Sequence, residues 1–290
     1  MTFRCIALPF FLSYFELLSP GLVIAQSGES GFEGQTFMER MRQGNYRPYL
    51  EAAYGIGVPK HKSFAVDFDN NGLAEFRLGF SQIYPYKNYV YTINEGYLFG
   101  GFLSRDLALE EDKLHEGNTK ATRFGLGNRQ GYGYKLGPFT LLPYSYFGMA
   151  WTKIEAENKA ELSADELAIV ERYEGSYRFG QTSEAGMKVR LGKMLAGSAG
   201  YEFSVVYPRH LFGKWFGSML IQSIGYSAIV AYSDAIVDAT PALGPLINFA
   251  LRNGLAFVFY WQMREEMNWP FATERPLTLE ALKVSASFTF

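Results

Sequence analysis

Hydrophobic and polar residues alternate one by one along several segments of this chain, the period expected of β-strands with two different faces. From Ala74 to Ser81, for example, the even positions are apolar and the odd positions hold Glu, Arg, Gly and Ser. The same alternation runs through residues 47–58, 73–84, 122–136, 183–194, 197–207 and 279–290, and segments 92–104 and 139–152 resemble strands with less distinct faces. The pattern predicts eight antiparallel strands.

The length of these segments and the content of their polar face favour a membrane barrel over a soluble sandwich. The six clearest segments have 11 to 15 residues, longer than ordinary globular strands and suited to tilted spans of a bilayer. Tight turns predicted at 136–138 and 195–197 alternate with long polar connections at 59–72, 105–121 and 153–182. Short turns at one end and long loops at the other are typical of transmembrane β-barrels.

One region, 209–271, does not follow this pattern. Between Lys214 and Arg252 the only charged residues are Asp234 and Asp238, and no face combines glycine with charge. Two apolar helices over 212–233 and 243–264 are one interpretation, and two further strands over 218–233 and 254–266 are the other. The missing charges favour eight strands plus a hydrophobic helical insertion, which could cap the barrel mouth, bind an acyl chain or gate a lateral opening. Ten strands stay the alternative.

The first residues predict export. Residues 1–25 have a short basic start, an apolar stretch and a small residue, Ala25, before a cleavage site, so they are interpreted as a signal peptide. Residues 26–45 form a short N-terminal segment, and residues 46–290 are assigned to the barrel with its insertion. A mean hydropathy of −0.07 fits two-faced strands better than helical spans. The net charge of −2 gives no indication of a nucleic-acid partner.

The ending Ser285-Ala286-Ser287-Phe288-Thr289-Phe290 resembles the bacterial outer-membrane β-barrel superfamily. The resemblance covers about residues 46–207 and 277–290 and does not identify a subfamily. It implies an all-β transmembrane antiparallel barrel in the outer membrane of a Gram-negative-type bacterium, with outer-membrane lipids and the barrel assembly machinery as partners. Phe288 and Phe290 would be the assembly signal.

The polar face of the predicted strands carries charges of both signs. The predicted lumen charge cluster consists of Glu75, Arg77, Arg123, Arg129, Lys188, Arg190 and Glu202, and the same face includes Glu51, Lys135, Glu184 and Lys283. These residues could form a charged path for a small polar solute. Alternatively, they fill a narrow barrel and pair with each other to offset their desolvation.

Catalytic and metal chemistry have weaker support. His61 and Ser63 invite comparison with outer-membrane lipid hydrolases, in which a histidine activates a nucleophile, but no carboxylate that would orient His61 is identifiable. Asp67, Asp69 and Asn71 match the first half of a calcium loop, yet Leu78 stands where the bidentate Glu is required. We therefore predict no metal and no cofactor.

The function expected from these observations is a non-enzymatic structural role or one in which the barrel interacts with lipids or small solutes. A lipid-modifying hydrolase and a narrow channel are the alternatives.

Overall fold

The computed structural model describes residues 46–64, 68, 70–108, 119–156 and 163–290. The predicted signal peptide (1–25), segment 26–45, and Asp67 and Asp69 of the calcium hypothesis lie outside the described residues.

Eight strands form one closed antiparallel barrel in which each strand pairs with its neighbours along the chain and β1 pairs with β8. They are β1 (Arg47–His61), β2 (Asn71–Lys87), β3 (Val90–Ser104), β4 (Thr119–Leu136), β5 (Phe139–Ala156), β6 (Arg178–Leu191), β7 (Leu195–Val206) and β8 (Leu277–Thr289). Eight strands are confirmed, and the ten-strand alternative is wrong because 218–233 and 254–266 lie within helices over most of their length.

The turns and the loops lie at opposite ends of the barrel, which we call the turn end and the loop end. Asn88, Gly137 and Gly192 hold positive φ angles of 52°, 60° and 63° at the three turns, a conformation that Gly and Asn adopt most easily. The turn predicted at 195–197 is wrong, because those residues pair with β6 or β8 as part of β7 and the chain reverses at 192–194. The strand before this turn, β6, therefore ends at Leu191 rather than at Met194. It also begins earlier than predicted, at Arg178 rather than at Ser183.

The barrel has a surface opposite to that of a soluble protein. Leu78, Leu98 and Leu282 point outward and are 53%, 62% and 64% exposed, while the inward positions beside them carry buried charges. Exposing this apolar belt to water would cost free energy, whereas contact with the hydrocarbon of a bilayer would not. Closure also satisfies every strand edge, as a spanning sheet in lipid requires.

An apolar cluster closes the interior at the loop end. Leu73, Leu103 and Ile154 from the strands pack with Val170 of the short helix α1 (Ala164–Glu171) and with Tyr173, which follows this helix. The side chain of Ser163 caps this helix together with Glu166. Helix α1 is thereby held over the barrel mouth, and Tyr173 accepts a hydrogen bond from the backbone N–H of Leu277 at 2.9 Å.

The insertion between β7 and β8 is a helical hairpin of α2 (Phe212–Ala239) and α3 (Gly244–Met263). It lies against the outer wall formed by β4 to β7, so a cap over the mouth is the wrong interpretation of this insertion. The α2–α3 connection reaches the turn end, where the hydroxyl of Tyr134 donates to the carbonyl of Ala242 at 2.8 Å. Helix α2, with 28 residues and about 42 Å of length, is long and apolar enough to cross a membrane.

The apolar belt predicts a depth-dependent cost of a charge on the outer face. Leu78→Arg, at the middle of β2, should lower the free energy of unfolding in phospholipid vesicles by about 2–4 kcal/mol, whereas Leu136→Arg, beside a turn, should cost about 0–1 kcal/mol. Urea titration of the two variants measures the difference. Equal losses at the two positions would contradict a transmembrane orientation of the strands.

Candidate functional site

Five carboxylates and five cations fill the middle of the barrel. They are Glu51, Glu75, Glu95, Glu184 and Glu202 with Arg77, Arg123, Arg129, Lys188 and Lys283, and we call them the interior network. Each side chain is at most 3% exposed. Equal numbers of the two signs leave the network formally neutral, which reduces the cost of burying so many charges.

Ion pairs connect the network across the barrel rather than along one strand. The guanidinium of Arg77 contacts Glu51 at 2.7 Å and Glu184 at 3.0 Å on the far wall. Arg129 contacts Glu51 at 3.0 Å and Glu95 at 2.8 Å. Such crossed, shared pairs hold facing strands at fixed separation.

The other three cations of the network, Lys188, Arg123 and Lys283, also form ion pairs. Lys188 contacts Glu95 at 2.6 Å, and Arg123 contacts Glu202 at 2.6 Å. Lys283 is 2.6 Å from Glu184 and also contacts Glu202. Every cation of the network therefore has at least one carboxylate within ion-pair distance.

Tyrosine rings occupy the space between the ion pairs. The guanidinium carbon of Arg129 lies 4.3 Å from the ring centre of Tyr144 and 5.4 Å from that of Tyr97, as in cation–π contacts. Glycine makes room for such rings: a Cβ at Gly127 would lie 2.2 Å from the ring of Tyr146. Gly125 likewise makes room for the ring of Phe99, whereas a Cβ at Gly131 or Gly133 would meet the backbone of β5.

The structure brings together six of the seven residues of the predicted cluster. Arg190 is the exception. It lies at the turn end of β6, beside the turn to β7, and its guanidinium donates to the carbonyl of Lys193 at 3.3 Å. Lys135 is exposed at another turn. Both residues have the inward parity but lie beyond the filled interior. Glu95 was missed in the sequence, because β3 carries large apolar residues on both faces.

His61 and Ser63 lie close together at the loop end without a catalytic contact. Nδ1 of His61 accepts from the backbone N–H of Ser63 at 3.3 Å, and Nε2 lies 3.3 Å from the carbonyl oxygen of Arg275. Within the described residues, the imidazole makes no hydrogen bond to the hydroxyl of Ser63 or to a carboxylate. A base that activates Ser63 has no geometric support here.

A groove runs between the helical hairpin and the barrel wall, from the middle of the barrel toward the loop end. Its lining is mostly apolar and comes from β4 to β7, from the first half of α2 and from the second half of α3. Among the lining residues are Leu126, Phe147, Met149, Phe203, Val205, Met219, Ala256, Phe259 and Met263. We call this space the hairpin groove.

The barrel wall behind the groove carries several polar side chains among its apolar ones. They are Asn128 and Gln130 on β4, Ser145 on β5, and Gln181 and Ser183 on β6; the strand registers pair Gln130 with Ser145, and pair Ser183 and Gln181 with the apolar Phe147 and Met149. If these polar groups faced lipid without a hydrogen-bond partner, their desolvation would cost free energy. The hairpin covers them, which explains why it packs at β4 to β7.

An ion pair between the buried Arg252 and the partly exposed Asp234 anchors the hairpin. Arg252 of α3 donates to Asp234 of α2 at 2.9 Å and to the side-chain oxygen of Gln130 on the wall at 3.4 Å. Asn248 donates to Asp234 at 3.0 Å. These contacts satisfy charges that neither hydrocarbon nor a single helix could satisfy.

Two polar atoms of the groove have no partner. The side-chain oxygens of Gln181, itself 4% exposed, and of Asn128 are buried and accept no hydrogen bond from any described residue. Both residues line the groove. An acceptor left unsatisfied in an apolar environment costs about 1–3 kcal/mol, so a donor brought by a bound molecule would relieve that cost.

A charged interior, an apolar outer belt and a closed sheet decide the class. The chain folds as a transmembrane β-barrel. Its closed topology and apolar outer surface are those expected of a barrel in the outer membrane of a Gram-negative-type bacterium, the location that the sequence predicts.

Solved structures similar to this barrel include two bacterial proteins. Neisserial surface protein A (NspA) matches with a TM-score of 0.41 at 8% identity, over 84% of this chain and 97% of that one. Ail, the attachment invasion locus protein of Yersinia pestis, matches with a TM-score of 0.32 at 9% identity, over 84% and 98% of the two chains. No protein-family model and no curated protein matches the sequence.

Phe288 lies near the end of β8, and Phe290 directly follows this last strand. Their rings lie 5.0 Å apart, and the backbone N–H of Phe290 donates to the carbonyl of Pro48 at 3.0 Å. Their role as an assembly signal stays a prediction.

The interior network predicts a large cost when one member is removed. Arg129→Met leaves Glu51 and Glu95 short of a cation in a space that water does not reach, and we expect the free energy of unfolding to fall by about 3–5 kcal/mol. Arg190→Met, with the same change of side chain outside the network, should stay within about 0.5 kcal/mol of the parent. Urea titration in vesicles compares them, and a similar loss for both would show that the network is not selectively stabilising.

Proposed function

We propose that this outer-membrane barrel is a non-enzymatic lipid-binding protein and that the hairpin groove holds an acyl chain of an outer-membrane lipid. The unsatisfied side-chain oxygen of Gln181 in the mostly apolar hairpin groove is the observation that carries the proposal. In this view the barrel is the rigid support and the hairpin completes the site.

The filled interior supports a role on the outer wall rather than conduction. Polar solutes would have to pass between Arg77, Arg129 and Glu51, which are at most 2% exposed and joined by ion pairs. Opening such a path requires several ion pairs to separate in a space of low dielectric constant. This separation costs more free energy than the separation of ion pairs at a protein surface. A narrow channel is therefore the less favoured function.

The chemistry of the groove fits one part of an amphiphile. Met149, Met219 and Met263 provide flexible apolar contacts that adapt to a chain of methylene groups. A hydroxyl or amide N–H near the chain could donate to Gln181. Because α2 crosses beside the wall, a lipid could enter sideways from the bilayer without passing through water.

Two further partners belong to the proposal. Outer-membrane lipids are the ligands and also surround the belt, and the barrel assembly machinery is the expected partner during insertion, with Phe288 and Phe290 as its signal. The contact of these side chains with the lipid-facing belt supports that role.

Blocking the groove tests the function. Ala256 of α3 lines the groove, so Ala256→Trp should fill it, and the amount of phospholipid retained by the detergent-purified protein should fall at least tenfold. Native mass spectrometry measures the retained lipid. Val258→Trp, on the same helix but 52% exposed, is the matched control and should retain lipid like the parent.

A second variant examines the polar contact. Gln181→Leu keeps the apolar floor and removes the acceptor, so lipid affinity should fall about fivefold, the value of one net hydrogen bond near 1 kcal/mol. Heat-modifiable mobility verifies that each variant is folded. Equal lipid retention by the parent, Ala256→Trp and Val258→Trp would refute the proposed function.

A further inference from the structure

We infer that a basic pocket at the loop end binds the phosphate of the lipid whose chain lies in the hairpin groove, an inference that rests on the proposed function. The pocket is lined by Lys60, His61, Lys62, Arg264, Pro276 and Thr278. We call it the basic pocket. It lies outside the interior network.

The basic pocket carries more positive than negative charge. Lys60 pairs with Glu280 at 2.8 Å, and Lys62 pairs with Glu265. Glu265 is shared, because the guanidinium of the neighbouring Arg275 also contacts it at 3.3 Å. The pairing uses two carboxylates for three cations and leaves the region positive even before Arg264 is counted.

Arg264 supplies the cation that no carboxylate among the described residues neutralises. Its guanidinium carbon lies 5.3 Å from the ring centre of Trp261 and 5.9 Å from that of Tyr260. These cation–π contacts position the guanidinium, and no carboxylate of the described residues occupies its N–H donors. A planar group with free donors is suited to the oxygens of a phosphate, which it can bind in a bidentate manner.

The basic pocket and the hairpin groove are neighbours. Tyr260 lines the groove, and its hydroxyl donates to Glu280 at 2.8 Å. The other oxygen of Glu280 holds Lys60 of the pocket. Met263 lines the groove directly before Arg264 of the pocket. A molecule with its chain in the groove would therefore bring its headgroup to the pocket.

The position along the barrel agrees with the position of headgroups in a bilayer. Lys60 and Lys62 follow the apolar part of β1 at the loop end, and Arg264 follows the last residue of α3. Cations and aromatic residues at the ends of spanning segments lie at the interface, where lipid phosphates are found. A phosphorylated lipid would satisfy the groove and the pocket together.

The experiment compares two lipids with identical chains. Dioleoyl phosphatidate carries a phosphate monoester and dioleoylglycerol carries none. Binding of each to the full-length protein in detergent is measured by native mass spectrometry, and the parent should prefer phosphatidate at least tenfold. Arg264→Gln and Lys62→Gln should each reduce that preference severalfold and leave dioleoylglycerol binding unchanged. Lys193→Gln, a lysine at the turn end, is the control and should behave like the parent.

The groove variant separates this inference from the proposed function. Ala256→Trp should weaken both lipids equally, because it removes the site of the chain. If Ala256→Trp leaves both lipids bound, the proposed function fails. If Ala256→Trp acts as expected but the parent binds both lipids equally, or Arg264→Gln keeps the preference, the headgroup inference fails alone.

Inorganic phosphate tells a lipid headgroup from a free anion. Added phosphate should compete with phosphatidate at the basic pocket only at concentrations far above those of the lipid, because it lacks the chain contacts. Tight binding of inorganic phosphate that is lost in Arg264→Gln and is not displaced by phosphatidate would overturn the assignment to a lipid.

Discussion

The need to pair every charge inside a narrow barrel is the constraint on which the rest of this structure depends. An eight-stranded barrel leaves room for side chains and little else, so water cannot solvate the interior groups. The acids come from β1, β2, β3, β6 and β7 and the bases from β2, β4, β6 and β8. Only β5 contributes no charge, and it supplies Tyr144 and Tyr146 instead. A slip of one strand by one residue would turn its charges toward lipid, so the network also determines register.

The hairpin solves a second problem that the barrel creates. Several amides and hydroxyls on the outer wall need a cover, and α2 and α3 provide one. Their own sequence is apolar almost all round, because lipid, the partner helix and most of the wall are all apolar. The few polar residues, such as Asp234 and Arg252, lie where the helices meet each other and Gln130. The few polar residues of the hairpin thus determine how it packs on the wall.

Much of this fold can be predicted from the sequence because alternation reports directly on the two sides of a barrel wall. It assigns the faces of β2 and β4 correctly and leaves the apolar insertion as the part that breaks the rule. It fails where both faces carry large apolar residues. In β3, Tyr97 and Phe99 point inward while Leu98 and Phe102 point outward, and this hides Glu95. Alternation also shows whether a residue faces inward or outward but not how deep it lies along the barrel axis. Arg190 is at an inward position of β6 but lies at the end of the strand, beyond the filled interior.

The hairpin groove could not be predicted in the same way. Its residues come from six elements that only the tertiary fold brings together, and the packing of a helix on the outside of a barrel leaves no local pattern. One signal was present: Asn128 and Gln130 are polar at outward positions of β4, where the neighbouring Leu126 and Phe124 are apolar. Polar side chains on a face that should be oily indicate that something covers them.

The ion pair between Asp234 and Arg252 has a consequence for biogenesis. A chain on its way to the outer membrane passes the translocation channel of the inner membrane, which releases sufficiently hydrophobic helical segments sideways into that bilayer. A charged residue near the centre of such a segment opposes this release by about 2.5–3.5 kcal/mol. Arg252 lies near the middle of α3, whereas Asp234 lies near the end of α2, so the effect is expected mainly for α3. The arginine that fastens the folded hairpin would thus also disfavour retention of α3 in the inner membrane before Asp234 can neutralise it.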